Sequence, residues 1–194
     1  MGTRHLICVY VDGEYKVAQY GQWDGYPSGQ GIDILKFLQT TNLEIFKEKV
    51  RKMRWYTDVE MQEITDNHTD NGSITMGSLQ DIYWKTHLQH ISRDTGAKIL
   101  TMILLDKAPA LRSNIKFAQD SLFCEYAYVI DFDEETFEVY EGFNKEPLSE
   151  NERFYTGEVV EKYHPVRFKK SYSIWDLPSE ELFLKTLEPD DEDE

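Results

Sequence analysis

Residues 4–20 read RHLICVYVDGEYKVAQY. Two runs rich in β-branched and aromatic residues, Arg4 to Val11 and Glu14 to Tyr20, flank Asp12-Gly13, a dipeptide suited to the positive φ angles of a type I′ turn. The chain therefore opens with a β-hairpin. The second half carries a matching signal. Leu122 to Asp131 (LFCEYAYVID) and Thr136 to Glu141 (TFEVYE) enclose the acidic turn FDEE, and Val166 to Ser173 supplies a further strand.

Between the hairpins the apolar period lengthens to that of a helix. Ile34, Leu35 and Leu38 recur at helical spacing, and Leu43, Phe46, Val50 and Met53 write a second amphipathic helix with Asn42 placed as its cap. Asp66 to Gly77 (DNHTDNGSITMG) reads as a surface loop and Asp81 to His90 as a short helix. AKILTMILLDK, residues 97–107, is apolar nearly all round, which predicts a central helix. Ser179 caps a last helix through Glu188. Hairpin, helices and hairpin predict an α+β fold, a mainly antiparallel sheet built from the N-terminal and C-terminal hairpins and covered by helices. Residues 1–188 are expected to form a single globular domain, followed by an acidic disordered tail at 189–194.

Composition narrows the possible partners. Thirty-six acidic against 21 basic side chains give a formal charge of −15, which repels a nucleic-acid backbone. No nucleic-acid partner is expected. The only cysteines, Cys8 and Cys124, lie in apolar runs without CxxC spacing, which predicts reduced core thiols, a cytoplasmic setting and no zinc site. Asp131, Asp133, Glu134 and Glu135 lack EF-hand spacing and read as a solvated turn, so no metal is expected. No stretch has the length and apolarity of a membrane span or a secretory leader.

The densest cluster of special residues is Gln22 to Gly31, QWDGYPSGQG, between the first hairpin and the first helix. Gly25, Gly29 and Gly31 permit unusual turns or close approach, and Pro27 restrains Tyr26. A ligand site here would use Trp23 and Tyr26 for stacking and Gly25, Ser28, Gly29 and Gly31 around a backbone cradle for an anion such as a nucleotide. Arg4 would hold a carboxylate or phosphate, and Asp24 with Glu125 would do proton chemistry, as in a hydrolase. The structural alternatives are an Asx-type turn at Asp24, an Arg4–Asp24 ion pair, and a salt bridge from Glu125 to Arg93 or Arg112. His5 reads as a surface residue near the terminus. These features predict a small-molecule binding protein, with a non-catalytic acidic protein that docks onto or inhibits another protein as the alternative. No cofactor is specified.

The opening MGTR, the QWDGYPSGQG segment, SRDTGAKIL (Ser92 to Leu100) and SLFCEYAYVIDFDEETFEVYEG (Ser121 to Gly142) give a further reading. With these motifs the chain resembles a family of uncharacterised proteins found in fungi, bacteria and phages. The resemblance spans most of the chain and implies kinship; it brings no activity, cofactor or partner.

Overall fold

In the computed structural model, which describes residues 2–68, 87–157 and 162–188, the DG turn forms as its residues require. Asp12 and Gly13 take φ of 54° and 81°, and β1 (His5–Val11) pairs antiparallel with β2 (Glu14–Gly21) from His5↔Gly21 to Val11↔Glu14. The other edge of β1 runs parallel to β3 (Tyr126–Asp131), so the first strand lies inside the sheet. Antiparallel β4 (Thr136–Glu141) and β5 (Arg167–Ser173) complete the order β2-β1-β3-β4-β5. Three of the four pairings are antiparallel, and the fold is α+β.

Strand alternation divides the interior in two. Ile7, Val9, Val11, Tyr128, Ile130, Phe137 and Val139 point to one face. There they meet α1 (Ile32–Thr40), α2 (Leu43–Arg51), α4 (Lys98–Leu104) and α5 (Glu180–Leu187) through Leu35, Phe46, Leu100 and Phe183. Asn42 Oδ1 accepts from Ile45 N at 3.1 Å and Ser179 Oγ from Leu182 N at 3.2 Å, so both expected caps form. The opposite face, with Leu6, Cys8, Ala127, Val129 and Tyr140, is covered by Ala118, Cys124, Phe154 and Val166 from non-α segments.

Arg153 reaches into that second face. Its Nε and Nη2 donate to the two oxygens of Glu138 at 2.8 and 2.9 Å, Nη2 also meets Asp131, and the guanidinium lies 5.3 Å from the Tyr10 ring. The FDEE turn is more than a solvated acid cluster. Asp133 accepts the N–H groups of Asp12 and Gly13 at 2.9 and 2.8 Å, which ties the tips of the two hairpins together.

Several elements differ from the sequence reading. β3 begins at Tyr126, because residues 120–124 form turns in which Phe123 and Cys124 both donate to Asp120 O, leaving Leu122 and Phe123 exposed. Glu125 thus precedes the strand instead of interrupting it. An additional helix, α3 (Asp58–His68), takes in the start of the expected 66–77 loop, and the rest of that loop lies outside the described residues. Of the helix expected at 81–90 only 87–90 are described, and Gln89–Ile91 form a 3-10 turn. The 189–194 tail also lies outside the described residues. Among the described residues no helix is long and apolar enough to cross a membrane.

Candidate functional site

The loop after β2 is held from within. Gly25 N donates to Thr3 O at 3.0 Å, and Tyr128 OH donates to Gly25 O at 2.8 Å. Asp24 takes a φ of +55°, a conformation Asp tolerates, and its carbonyl accepts from Gln30 N at 2.8 Å. Gly29 N and Gly31 N donate to Tyr26 O at 3.0 and 3.5 Å as the π turn Pro27–Gly31 feeds α1. Ser28 N faces a Glu188 carboxylate oxygen at 3.4 Å. The backbone donors expected to cradle an anion are therefore spent inside the loop or on a carboxylate.

A second segment closes over the first. Gln22 N donates to Arg93 O at 2.9 Å, Trp23 Nε1 to Asp94 Oδ1 at 2.8 Å, Gln19 Nε2 to Ser92 O at 2.9 Å, and Ala97 N to Gln30 Oε1 at 2.6 Å. Gly96 sits at φ +53°, where a Cβ would collide with the Gln30 side chain. QWDGYPSGQG and SRDTGAK, 61 residues apart from Gly31 to Ser92, thus form facing walls. Between them lies a cavity of about 360 Å³, lined by Trp23, Asp24, Gln30, Asp33, residues 93–98 and His5.

His5 is the group that distinguishes this cavity. It is 1% exposed, in phase with Ile7, Val9 and Val11 on β1. A Cβ on Gly21 would collide with its Cε1 and Nε2, and one on Gly25 would stand 2.8 Å from its Cβ. The two glycines leave a slot for a flat ring. Among the described residues neither ring nitrogen meets a partner at good hydrogen-bond geometry, the Thr3 backbone being the nearest acceptor. Burial lowers the His5 pKa to about 4, against the opposing influence of the Thr3 backbone and the Asp24 charge, so the ring is uncharged at neutral pH. An uncharged imidazole carries one donor and one acceptor; the Thr3 backbone stands as acceptor beside the ring, and the other nitrogen has no donor among the described residues. Around it Asp24, Asp33 and Asp94 alternate with Arg93 and Lys98. No three His, Cys, Asp or Glu side chains among the described residues converge as metal ligands.

Of the residues singled out from sequence, Trp23 and Asp24 line this cavity, and Gly25 backs His5. Tyr26 is exposed and donates to Asp24 Oδ1 at 3.2 Å, and the Asp24 charge raises its pKa. The loop closes through the Asp24 carbonyl rather than an Asx turn of its carboxylate. Arg4 and Glu125 lie elsewhere. Glu125 Oε1 accepts from Arg4 N at 3.1 Å and does not line the cavity, so the structure does not bring it together with Asp24 there. Arg93 stands 3.9 Å from Asp94, and the expected Glu125 salt bridge is not formed. The Arg4 guanidinium lies over Phe123, 4.9 Å from the ring centre, and forms no ion pair with Asp24. His5, expected at the surface, is buried instead, because it lies in phase with Ile7 and Val9 on an interior strand. No family model matches the chain, and no curated protein or solved structure matches it.

Proposed function

We propose that this protein binds a small polar molecule in the cavity between the 22–31 loop and residues 93–98, with the His5 imidazole as the central contact. One observation carries this reading: a buried ring lining a cavity, with one nitrogen left without a partner among the described residues. An unsatisfied buried polar group costs about 1–3 kcal/mol, and an apolar replacement would avoid that cost. A chain that keeps one is best explained by a partner that arrives with the ligand.

The walls describe that ligand. Three carboxylates and two cations favour a small molecule with donors and acceptors and either an ammonium or both charges, such as an amino acid or a short amide. A purely anionic ligand is less well served, because the backbone donors are occupied and acids outnumber bases. Binding is favoured over hydrolysis, since a ring with a pKa of about 4 is a weak general base at neutral pH. The buried free thiols of Cys8 and Cys124 fit a reducing, cytoplasmic setting for this binding.

The test is a panel of amino acids and short amides titrated against isotope-labelled protein. A fitting compound is expected to shift the amide resonances of Gly25, Gly96 and Ala97 saturably, and the shifts are expected to vanish in His5→Met. A panel that leaves these resonances still, or moves them equally in His5→Met, would reject the proposal.

A further inference from the structure

Arg4 stands immediately before β1 and lines a different cavity from His5. That cavity, of about 750 Å³, lies against the 3-10 turn Ile115–Gln119 and is lined by Arg4, Tyr20, Asn114, Lys116, Phe117, Asp120, Phe123 and neighbours. We infer that it is a second binding site, independent of the first, and that its ligand is a planar aromatic molecule bearing a carboxylate or phosphate.

The cations make the first argument. Acids far outnumber bases in this chain, and four of its seven arginines hold a carboxylate closely. Arg51, Arg54, Arg153 and Arg167 each do so at 2.7–2.8 Å. Arg4 meets none within ion-pair distance among the described residues, although Glu125 is bonded to its own backbone N–H. Its guanidinium lies over Phe123 instead, and a guanidinium without a carboxylate keeps its fork of donors for an anion's two oxygens. Lys116, on the same cavity, is likewise without a carboxylate partner among the described residues. A bound anion would complete both.

The walls make the second. Tyr20 and Phe117 meet edge to face at 4.8 Å, and Phe123 is 45% exposed, so a flat ring entering here finds aromatic surface on more than one side. Tyr20 OH is committed to Gln22 Oε1 at 2.6 Å, and Asn114 turns its Oδ1 toward Tyr20 N at 3.4 Å. The Asn114 amide NH₂ donates to no group among the described residues, so the lining carries a neutral donor. Asp120 is the one carboxylate on the lining, and it selects for rings that carry an amino or hydroxyl group. Here two cations meet one acid, whereas two cations meet three acids in the His5 cavity.

The probes are 2-aminobenzoate and adenosine monophosphate, which share a planar amino-bearing ring and differ in their anion. Each is titrated against isotope-labelled protein, with the amides of Asn114, Phe117 and Phe123 as reporters. At least one is expected to bind saturably, and Arg4→Gln is expected to weaken it about tenfold or more, the loss of a charge-assisted bond. Lys116→Gln, an exposed change, repeats the test if Arg4→Gln fails to fold, and the first site's variant His5→Met is expected to leave binding unaltered. The preferred probe identifies the anion. Binding of neither, binding insensitive to both charge variants, or shifts confined to Gly25 and Gly96 would overturn the inference.

Discussion

Arg153 and His5 are both sunk into the sheet, on opposite faces, and their surroundings differ in kind. Arg153 is matched with Glu138 and Asp131 and covered by Tyr10. His5 is at least as deeply buried, yet beyond the Thr3 backbone no group among the described residues answers its nitrogens. A guanidinium cannot shed its charge, so burial obliges the fold to pair it, whereas an imidazole escapes the same penalty by losing its proton. The first arrangement holds the 144–157 segment to the sheet. The second leaves hydrogen-bonding capacity in reserve.

The comparison can be broken most forcefully at Arg153. Arg153→Met would leave Asp131 and Glu138 buried without their counter-charge, and a loss of about 3–5 kcal/mol is expected, read as a fall of about 10 °C in the melting midpoint. A harmless substitution there would erase the distinction. The next effect is one of pH. Because the folded pKa of His5 is about 4 and that of the unfolded chain near the ordinary 6.5, the unfolded state binds the extra proton between these values. Stability is therefore expected to be flat with respect to His5 above pH 6.5 and to fall as pH drops toward about 4, by up to about 3 kcal/mol. Denaturant titrations of wild type and His5→Met across this window isolate the contribution, since other groups cancel in the difference.

Smaller effects sharpen the picture of the slot. A Cβ at Gly25 would lie 2.7 Å from Thr3 O and 2.8 Å from His5 Cβ, neither of which can move freely. Gly25→Ala is expected to cost about 1–3 kcal/mol in chemical denaturation. Asp24→Asn keeps a residue type at ease at positive φ and an oxygen for Tyr26. Its stability is expected to change by less than about 0.5 kcal/mol, while affinity for any cationic ligand of the His5 cavity falls in a binding titration.

Much of the fold was legible because its signals are local. The DG turn, the alternating runs around FDEE and the caps at Asn42 and Ser179 each depend on a few neighbours. The parallel pairing of β1 with β3 was not, because residues 5–11 and 126–131 carry no local mark of each other. The strand start was misplaced because Leu122 and Phe123 are apolar yet exposed in a turn. At the site, the QWDGYPSGQG loop stood out for its glycines, but the physical use of one of them was different. Gly25 makes room for a ring, and the donors of Gly29 and Gly31 close the turn. The facing SRDTGAK wall required the tertiary contact between Trp23 and Asp94 and between Gln30 and Ala97 to be seen.

The central claim is that His5 is retained for a ligand and contributes nothing to the fold that a flexible apolar chain could not. The most direct test is the melting midpoint of His5→Met beside wild type at pH 7, methionine being unbranched enough for the slot between Gly21 and Gly25. A midpoint equal to or above that of wild type is predicted. A fall of several degrees, of the kind expected for Arg153→Met, would contradict it.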